Sequence, residues 1–360
     1  MHPNSRITSP DDPSLDALCD KLRDMAMSLG DADAWVGDQL RACGEAGVFE
    51  WFLPEELGGQ GWSDADVIRG YLKLSAACLT TTFVITQRTG ACQRIAFSDN
   101  GPLKDELLPD LLNGDSFATV GISHLTTSRR HLAKPVLQAA GQGGGFVLNG
   151  FSPWVTGSPF AQHVVTGATL DDGRQILVAL PMDAPGVRVP PTPQLVGLSA
   201  SRTGKVELNN VLVDNQFLLA GPVENVMQSG VGAGTGGLQT STLAIGLAAG
   251  AIEFIFREGE QRSDLIEPAD HLQRDLDACR HDLLQAAAGS PSCSNESLRV
   301  RANSLALRST QAALAAAKGA GYLTTHPAGR WCREALFFLV WSCPQPVMNA
   351  NLCELAGIGE

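Results

Sequence analysis

The middle of the chain decides the fold class. Residues 146–178 have the sequence FVLNGFSPWVTGSPFAQHVVTGATLDDGRQILV. Two turn pairs, Asn149-Gly150 and Asp172-Gly173, separate short apolar or β-branched runs, and both pairs are typical of β-hairpins. The sequence predicts a hairpin at each pair, and these hairpins join Phe146–Leu148 to Trp154–Thr156 and His163–Leu170 to Gln175–Val178. Strands that follow one another without helices between them indicate an antiparallel barrel or sandwich.

Helical patterns flank this region on both sides. Before residue 116, apolar side chains recur at helical spacing, as at Leu15, Leu18 and Leu22. After residue 222, four alanine-rich or amphipathic segments predict an antiparallel helix bundle, at residues 238–262, 271–288, 298–320 and 330–341. We therefore predict an α+β fold with three domains: an N-terminal helical domain (1–115), a middle β-barrel domain with a further strand at Lys205–Val213 (116–222), and a C-terminal helix-bundle domain (223–360).

The composition argues against nucleic-acid and membrane partners. The 360 residues are 44% hydrophobic and carry a formal net charge of −12, with 26 Lys and Arg against 38 Asp and Glu. Phosphate binding requires a basic face, which is not expected at this charge. The sequence has no run of 18 uninterrupted apolar residues and no signal-peptide pattern, so we expect a cytoplasmic protein without membrane insertion.

A metal site is not predicted. The nine cysteines include no Cys-x-x-Cys pair, which also argues against a disulfide framework. His124 and His131 are seven residues apart, but no third ligand lies near them in the sequence.

Five segments, in the same order and at nearly the same separations, resemble acyl-CoA dehydrogenases. They are Pro54 to Gly61 (P-E-x-x-G-G-x-G), Asn149-Gly150 with Trp154–Gly157, Ser199–Thr203 through Val213, Arg262 with Gln273, and His326-Pro327 through Arg333-Glu334 to Gln345. The resemblance implies an FAD-dependent oxidoreductase that acts on an acyl thioester of coenzyme A or of a carrier protein. It also implies an N-terminal helical domain, an antiparallel β-barrel and a four-helix bundle. The implied assembly is a homodimer or homotetramer, and an electron-transfer protein is a candidate partner.

The segment around Trp154 is expected to hold the flavin. A planar indole can lie against the flavin ring, and the Thr156 hydroxyl, two residues on, projects from the same face of a strand and can bond a ring nitrogen. The alternative is that both side chains simply pack on the barrel. By resemblance, Ser123 and Ser128 in the loop 121–130 also contact FAD, and Arg129 or Arg130 either meets a phosphate or belongs to a solvated turn.

Four more residues are assigned to the cofactor by the resemblance alone. Arg262 would reach the FAD of a neighbouring subunit, and Gln273 follows it at the family's spacing. Gly319 and Gly321 keep part of the glycine turn that faces the adenosine diphosphate portion of FAD. The neighbouring Ala315 stands where the family has Gln.

The family's catalytic base is missing. Desaturation needs a carboxylate that removes the α proton while hydride leaves the β carbon for the flavin. The family's Tyr-Glu-Gly aligns with Trp341-Ser342-Cys343, which places Ser342 at the base position, and residues 236–239, where some members carry the Glu, contain no acid either. A serine hydroxyl is too weak a base for this step, so His124 and Glu334 are the remaining candidates, although Glu334 matches a structural acid of the family.

Three functions therefore remain open. The protein could oxidise an acyl thioester with another base. It could instead be a flavin-dependent oxidase or monooxygenase of the same fold, in which no α proton is removed. The third alternative, from a different functional class, is a non-catalytic subunit that binds FAD or an acyl thioester.

Overall fold

The computed structural model of the protein describes residues 6–30, 33–126, 135–228 and 237–358. Helices, strands and helices follow one another along the chain. The α+β class and the order of its parts, as predicted, are confirmed.

In the part of the chain that the structure describes, five helices precede the sheet: α1 (Pro13–Met25), α2 (Gly37–Glu45), α3 (Asp64–Ala77), α4 (Leu79–Ala96) and α5 (Gly101–Asn113). Asp12, Ser63 and Asn100 cap α1, α3 and α5, because each side chain accepts a hydrogen bond from an otherwise unpaired backbone N–H of the first turn. Helix α4 is buried along most of its length and packs against α3, α5, the first strand and the C-terminal helices. Helix α4 therefore contacts the N-terminal helices, the sheet and the C-terminal helices.

The Pro54–Gly61 stretch forms the predicted turn. A 3-10 turn at Glu55–Leu57 is followed by Gly58 and Gly61, which both have positive φ. A side chain at Gly59 would place its Cβ 1.9 Å from the backbone oxygen of Leu53. The close return of the backbone therefore requires glycine at this position.

Eight strands within the described residues form a sheet in the middle of the protein. Its strands are β1 (Ala118–Gly121), β2 (Leu137–Gln142), β3 (Gly145–Val155), β4 (His163–Thr169), β5 (Gln175–Pro181), β6 (Val187–Arg188), β7 (Gly204–Asp214) and β8 (Leu218–Val223). The order is β6-β7-β3-β2-β4-β5-β8, with β1 on β4. Pairing is antiparallel except between β1 and β4 and between β2 and β4. The predicted β4–β5 hairpin and the strand at Lys205–Val213 are confirmed.

The hairpin predicted at Asn149-Gly150 is wrong. Both residues lie inside strand β3, and the turn into this strand is Gly143-Gly144. Gly150 has a φ of 126°, and the register of β3 against β7 shifts between Leu148 and Gly150. The pair therefore forms a β-bulge, which requires the same conformational freedom of glycine that makes Asn-Gly a hairpin signal.

Among the described residues, five helices follow the sheet: α7 (Gln239–Gly259), α8 (Ile266–Ala287), α9 (Asn295–Ala317), α10 (Pro327–Ala335) and α11 (Gln345–Leu355). A short helix, α6 (Ser123–Thr126), lies between strands β1 and β2. The four predicted helical segments are confirmed, and α11 is an addition to them. Helix α7 is long and apolar enough to span a membrane, but 78% of its apolar window is buried inside the protein. It is accordingly the central helix of the bundle, packed against α3, α8 and α9.

One hydrophobic core joins the two helical regions. It extends from Ile7 through the N-terminal helices to Phe338 in the C-terminal region. Helices α3 and α7 approach so closely that a Cβ at Gly250 would lie 2.6 Å from the backbone oxygen of Ala76, and Ser75 Oγ donates a 2.8 Å hydrogen bond to Leu243 O. The first and last regions of the chain are thus packed as one unit beside the sheet.

Candidate functional site

A cavity of about 670 Å³ lies where the helical regions meet the sheet. Its size falls within the range of roughly 300–1,000 Å³ that small-molecule sites occupy. Helix α4 forms one wall, strand β1 and the short helix α6 (Ser123–Thr126) form another, and the end of β3 with the loop 195–203 forms a third. The start of α7 and residues 333–342 complete it. Four of the predicted site residues, Ser123, Trp154, Thr156 and Ser342, line this cavity together.

Trp154 and Thr156 enter the cavity from the end of strand β3. The Trp154 side chain is 51% exposed, which is unusual for so large an apolar group. Thr156 is buried, its Oγ1 lies 3.0 Å from Thr203 Oγ1, and Thr203 Oγ1 lies 2.8 Å from Ser201 Oγ. The three hydroxyls form a chain along the cavity wall, beside an open aromatic plane.

Ser123 and His124 are neighbours in sequence but differ in orientation. The Ser123 Oγ is buried, lines the cavity and has no hydrogen-bond partner in the described part of the chain. His124 does not line the cavity, and its Nε2 lies 2.8 Å from Gly167 O. Burial lowers the pKa of His124, and the bond to Gly167 offsets part of this effect. Its imidazole is therefore directed at the sheet and is neutral at pH 7.

Ser342 follows an aromatic cluster that closes one side of the cavity. Trp341 stacks on Phe337 with ring centroids 5.1 Å apart, and it meets Phe83 of α4 edge-on at 5.1 Å. Behind this cluster, the buried Arg299 donates a 2.9 Å hydrogen bond to Trp341 O. Burial lowers the pKa of Arg299 to about 10, so it remains charged at neutral pH.

The described lining of the cavity contains no carboxylate. None of the lining residues within 6–30, 33–126, 135–228 and 237–358 is Asp or Glu, whereas Arg94 and Arg333 both contribute to the wall. Glu334 lies behind the wall, where its Oε1 accepts a 2.7 Å hydrogen bond from Thr80 Oγ1 and lies 3.9 Å from Arg330 Nε. Burial raises the pKa of Glu334, partly opposed by Arg330. The Glu334 carboxyl is thus part of a contact between α4 and α10 and not of the cavity wall.

The remaining predicted cofactor residues lie elsewhere. Arg262 donates to Ala316 O and lies 3.6 Å from Glu258, while Gln273 donates a 2.7 Å hydrogen bond to Asp277 on the exposed side of α8. Gly319 and Gly321 belong to a 3-10 turn after α9. None of these four residues lines the cavity. Ser128, with Arg129, Arg130 and His131, lies outside the described residues.

Several cavity residues were missed from the sequence. Arg94, Arg333, Ser201 and Thr203 line the wall although no role was expected for them. For Arg94, an available signal was its spacing, since Thr86, Gly90 and Arg94 recur every four residues along one face of α4. The hydroxyls of Ser201 and Thr203 lay within a matched segment but were not assigned a contact.

The fold is that of acyl-CoA dehydrogenases, and comparison with known proteins supports the same class. No family model matches the chain. The probable acyl-CoA dehydrogenase YngJ of Bacillus subtilis is 24% identical over 318 residues, which cover 82% of this chain and 83% of that protein. Glutaryl-CoA dehydrogenase of Desulfococcus multivorans is 22% identical over 357 residues and 90% of each chain.

Solved structures agree with these relatives. A glutaryl-coenzyme A dehydrogenase in complex with glutaryl-CoA has a TM-score of 0.81 at 18% identity and covers 96% of each chain. A glutaryl-CoA dehydrogenase from Mycobacterium smegmatis in complex with FADH2 has a TM-score of 0.77 at 16% identity, covering 97% of this chain and 96% of that one. The resemblance predicted from the sequence is confirmed: the chain is a low-identity homologue of acyl-CoA dehydrogenases.

Proposed function

We propose that this protein is an FAD-dependent oxidoreductase that acts on an acyl thioester without the family's carboxylate base. The observation that carries the proposal is the single cavity in which Trp154, Thr156, Ser123 and Ser342 come together from distant parts of the sequence. The relatives and structural neighbours support oxidoreductase chemistry of this general kind.

The residues of the cavity fit a flavin. Trp154 offers an open aromatic plane on which a ring system can stack, and the buried Ser123 hydroxyl has an unused bonding capacity within the described structure. The hydroxyl chain of Thr156, Thr203 and Ser201 can donate to or accept from ring heteroatoms. These groups would hold the cofactor, which when bound supplies a two-electron acceptor for hydride.

The protein's own residues would then position the acyl group and exclude water. Phe83, Phe337 and Trp341 form an apolar wall next to Ser342. In such a wall, electrostatic interactions are stronger than in water. The Ser342 hydroxyl can hold a hydrogen bond at the position where the family has its base, but it does not supply a carboxylate.

The absence of a carboxylate from the described lining favours a second candidate function. A flavin-dependent oxidase or monooxygenase needs no α-proton abstraction, and a subunit that binds FAD or an acyl thioester without turnover needs no base at all. Both alternatives use the same cavity, so the test must separate binding from electron transfer.

Assembly as a homodimer or homotetramer belongs to the same proposal. Arg262 contacts the end of α9, close in the chain to the turn that holds Gly319 and Gly321. Because these residues do not line this subunit's cavity, we propose that they face the FAD of a second subunit, together with Gln273. A protein partner that accepts electrons is part of the oxidoreductase proposal and not of the non-catalytic alternative.

The test is an anaerobic titration of the FAD-loaded protein with saturated acyl-CoA thioesters, followed by flavin absorbance. Bleaching of the oxidised flavin band is the expected result, because it reports hydride transfer. A shifted but persistent band would instead support binding without turnover, and flavin oxidation on admission of air would identify an oxidase. Protein that takes up no FAD would contradict all of the flavin functions.

A further inference from the structure

A second, smaller cavity adjoins the candidate site. Its volume is about 250 Å³, whereas the large cavity has about 670 Å³. Trp154 is the one residue that lines both cavities within the described part of the chain. Four prolines, Phe151 and Lys205 make up most of the remaining lining of the small cavity.

Two segments of the chain contribute to both linings. At the end of β3, Pro153 lines the small cavity and Thr156 the large one. The loop between β6 and β7 divides in the same way, since its prolines line the small cavity and residues 195–198 line the large one. A Cβ at Gly204 would lie 2.9 Å from Thr192 Cγ2, so this loop packs closely against β7. The Trp154 side chain therefore lies between two neighbouring spaces.

The small cavity suits a flat, apolar ring with an oxygen atom at its edge. Its prolines have no backbone N–H, and the 51% exposed Trp154 offers an aromatic surface for stacking. Its volume lies below the roughly 300–1,000 Å³ of sites for larger ligands, so it admits a single ring system and not a nucleotide.

The polar edge of the small cavity is positively charged. Lys205 Nζ lies 5.9 Å from the centre of the Phe151 ring and forms an ion pair with Glu207. Arg188 pairs with the same carboxylate, so two cations share one anion. The Lys205 ammonium has three N–H donors, and it can donate a hydrogen bond to a carbonyl or phenolate oxygen of a bound ring.

We propose that the small cavity binds a quinone, which accepts electrons from the flavin by way of Trp154. The inference rests on the proposed function, because it assumes that FAD lies against Trp154 in the large cavity. A ring in the small cavity is then one side chain away from the flavin, which permits electron transfer but not direct hydride transfer. Two electrons and one proton leave the reduced flavin. The quinone takes up two electrons and two protons to form a hydroquinone, and the second proton comes from water.

The experiment measures reoxidation of the FAD-loaded protein by duroquinone in the absence of oxygen. The flavin is first reduced photochemically, so that the result does not depend on an acyl thioester, and the return of its absorbance is followed by stopped flow. Duroquinone has a methyl group at every ring position that could otherwise add a thiol, so it does not react with the exposed Cys353. We expect a rate that saturates with quinone concentration, because the quinone binds before the electrons transfer.

Two substitutions test the small cavity itself, and calorimetry with the oxidised protein gives the dissociation constant of duroquinone without any electron transfer. K205M should weaken binding about fivefold, which corresponds to one hydrogen bond from a charged, partly exposed donor. P191E, which places a charge beside the apolar ring, should weaken binding by at least about tenfold. K21M and P185E are the matched controls and should keep the wild-type constant, since neither Lys21 nor Pro185 lines either cavity.

A wild-type rate that rises linearly with quinone concentration would overturn the inference, as would K205M and P191E variants that fold and bind duroquinone as the wild type does. If either variant fails to fold by circular dichroism, saturation in the wild type decides alone. Saturable reoxidation of a flavin that no acyl thioester reduces would support the quinone site and contradict the acyl substrate. Bleaching by an acyl thioester without saturable reoxidation would support the proposed function and contradict the quinone site.

Discussion

Ser342 occupies a strained position in the backbone. Its φ of 45° lies in the left-handed region, which costs a non-glycine residue about 1 kcal/mol. Arg299 donates a hydrogen bond to Trp341 O, and Asn303 Nδ2 donates a 3.1 Å hydrogen bond to Phe338 O. These two bonds from helix α9 fix the backbone of the segment before Ser342. The position is thus held at the cavity wall although its side chain is not a base.

Replacement of Ser342 by Glu tests whether only the base has been lost. A carboxylate at this position should raise the rate of anaerobic flavin bleaching by an acyl-CoA by about two to four orders of magnitude, which is the usual contribution of a general base. S342Q is the control, since it has nearly the same shape without the carboxylate. The measurement is stopped-flow absorbance of the flavin at saturating substrate.

Rates that stay at the wild-type value in both the Glu and the Gln variant would mean that the surrounding pocket, and not the base alone, differs from the family. A gain in both would indicate that side-chain size, and not proton transfer, limits the reaction. Only a gain confined to the Glu variant supports an acyl substrate positioned for α-proton removal next to residue 342.

Among the helices, strands and turns, the sequence correctly predicted the elements whose local sequence pattern agrees with their packing in the fold. The Asp172-Gly173 turn joins β4 and β5 as expected, because the turn and both flanking strands are encoded locally. Asn149-Gly150 carries the same signal but forms a bulge, because β3 continues past it to pair with the distant strand β7. The local sequence around Asn149-Gly150 does not encode which strand β3 pairs with. That pairing determined that the residues form a bulge and not a hairpin turn.

The α3–α7 contact depends on small residues, and G250A should weaken it. The added Cβ would lie 2.6 Å from Ala76 O, so the helices must move apart. We expect a loss of about 1–3 kcal/mol in the free energy of unfolding, measured by urea denaturation. G101A is the control, because a Cβ at this position in α5 meets nothing within 4 Å, and its effect should stay within about 0.5 kcal/mol. Equal effects of the two substitutions would show that the close approach is not limiting.

At the scale of the whole molecule, Glu334 connects regions that are far apart in sequence. It links α10 to Thr80 of α4 by a buried hydrogen bond. Burial holds the pKa of Glu334 above its ordinary value of 4.5. The native carboxyl therefore keeps its proton to a higher pH than the unfolded one, and the stability of the native state falls as pH rises from about 4.5 through the raised pKa.

The E334Q variant should remove this pH dependence. An amide cannot ionise, and its oxygen can still accept the hydrogen bond from Thr80. Relative to the wild type, the variant should gain stability as pH rises from about 4.5 towards 8, measured by urea denaturation at several pH values. E56Q, at an exposed position in the Pro54–Gly61 turn, should follow the wild-type curve. A constant difference between E334Q and the wild type at every pH would contradict the assignment.

The site was only partly predictable because its members come from separate regions of the chain. The sequence predicted Trp154, Thr156, Ser123 and Ser342 as site residues, and all four line one cavity; their roles there remain predictions. Arg94 was not identified, since the burial that makes its charge significant depends on how α4 packs against β1. The roles of Arg262, Gln273, Gly319 and Gly321 at a second subunit remain predictions, because a single chain does not test them.

The shared core of the two helical regions affects how the protein is made. Ser75 on α3 and Leu243 on α7 are bonded across 168 positions of sequence. At about 5–20 residues per second, a ribosome needs roughly 10–30 s to synthesise the chain between them. During that time the apolar faces of the N-terminal helices lack their final partner. Nascent chains should therefore depend on chaperones until α7 has emerged, and truncation before α7 should yield aggregated protein.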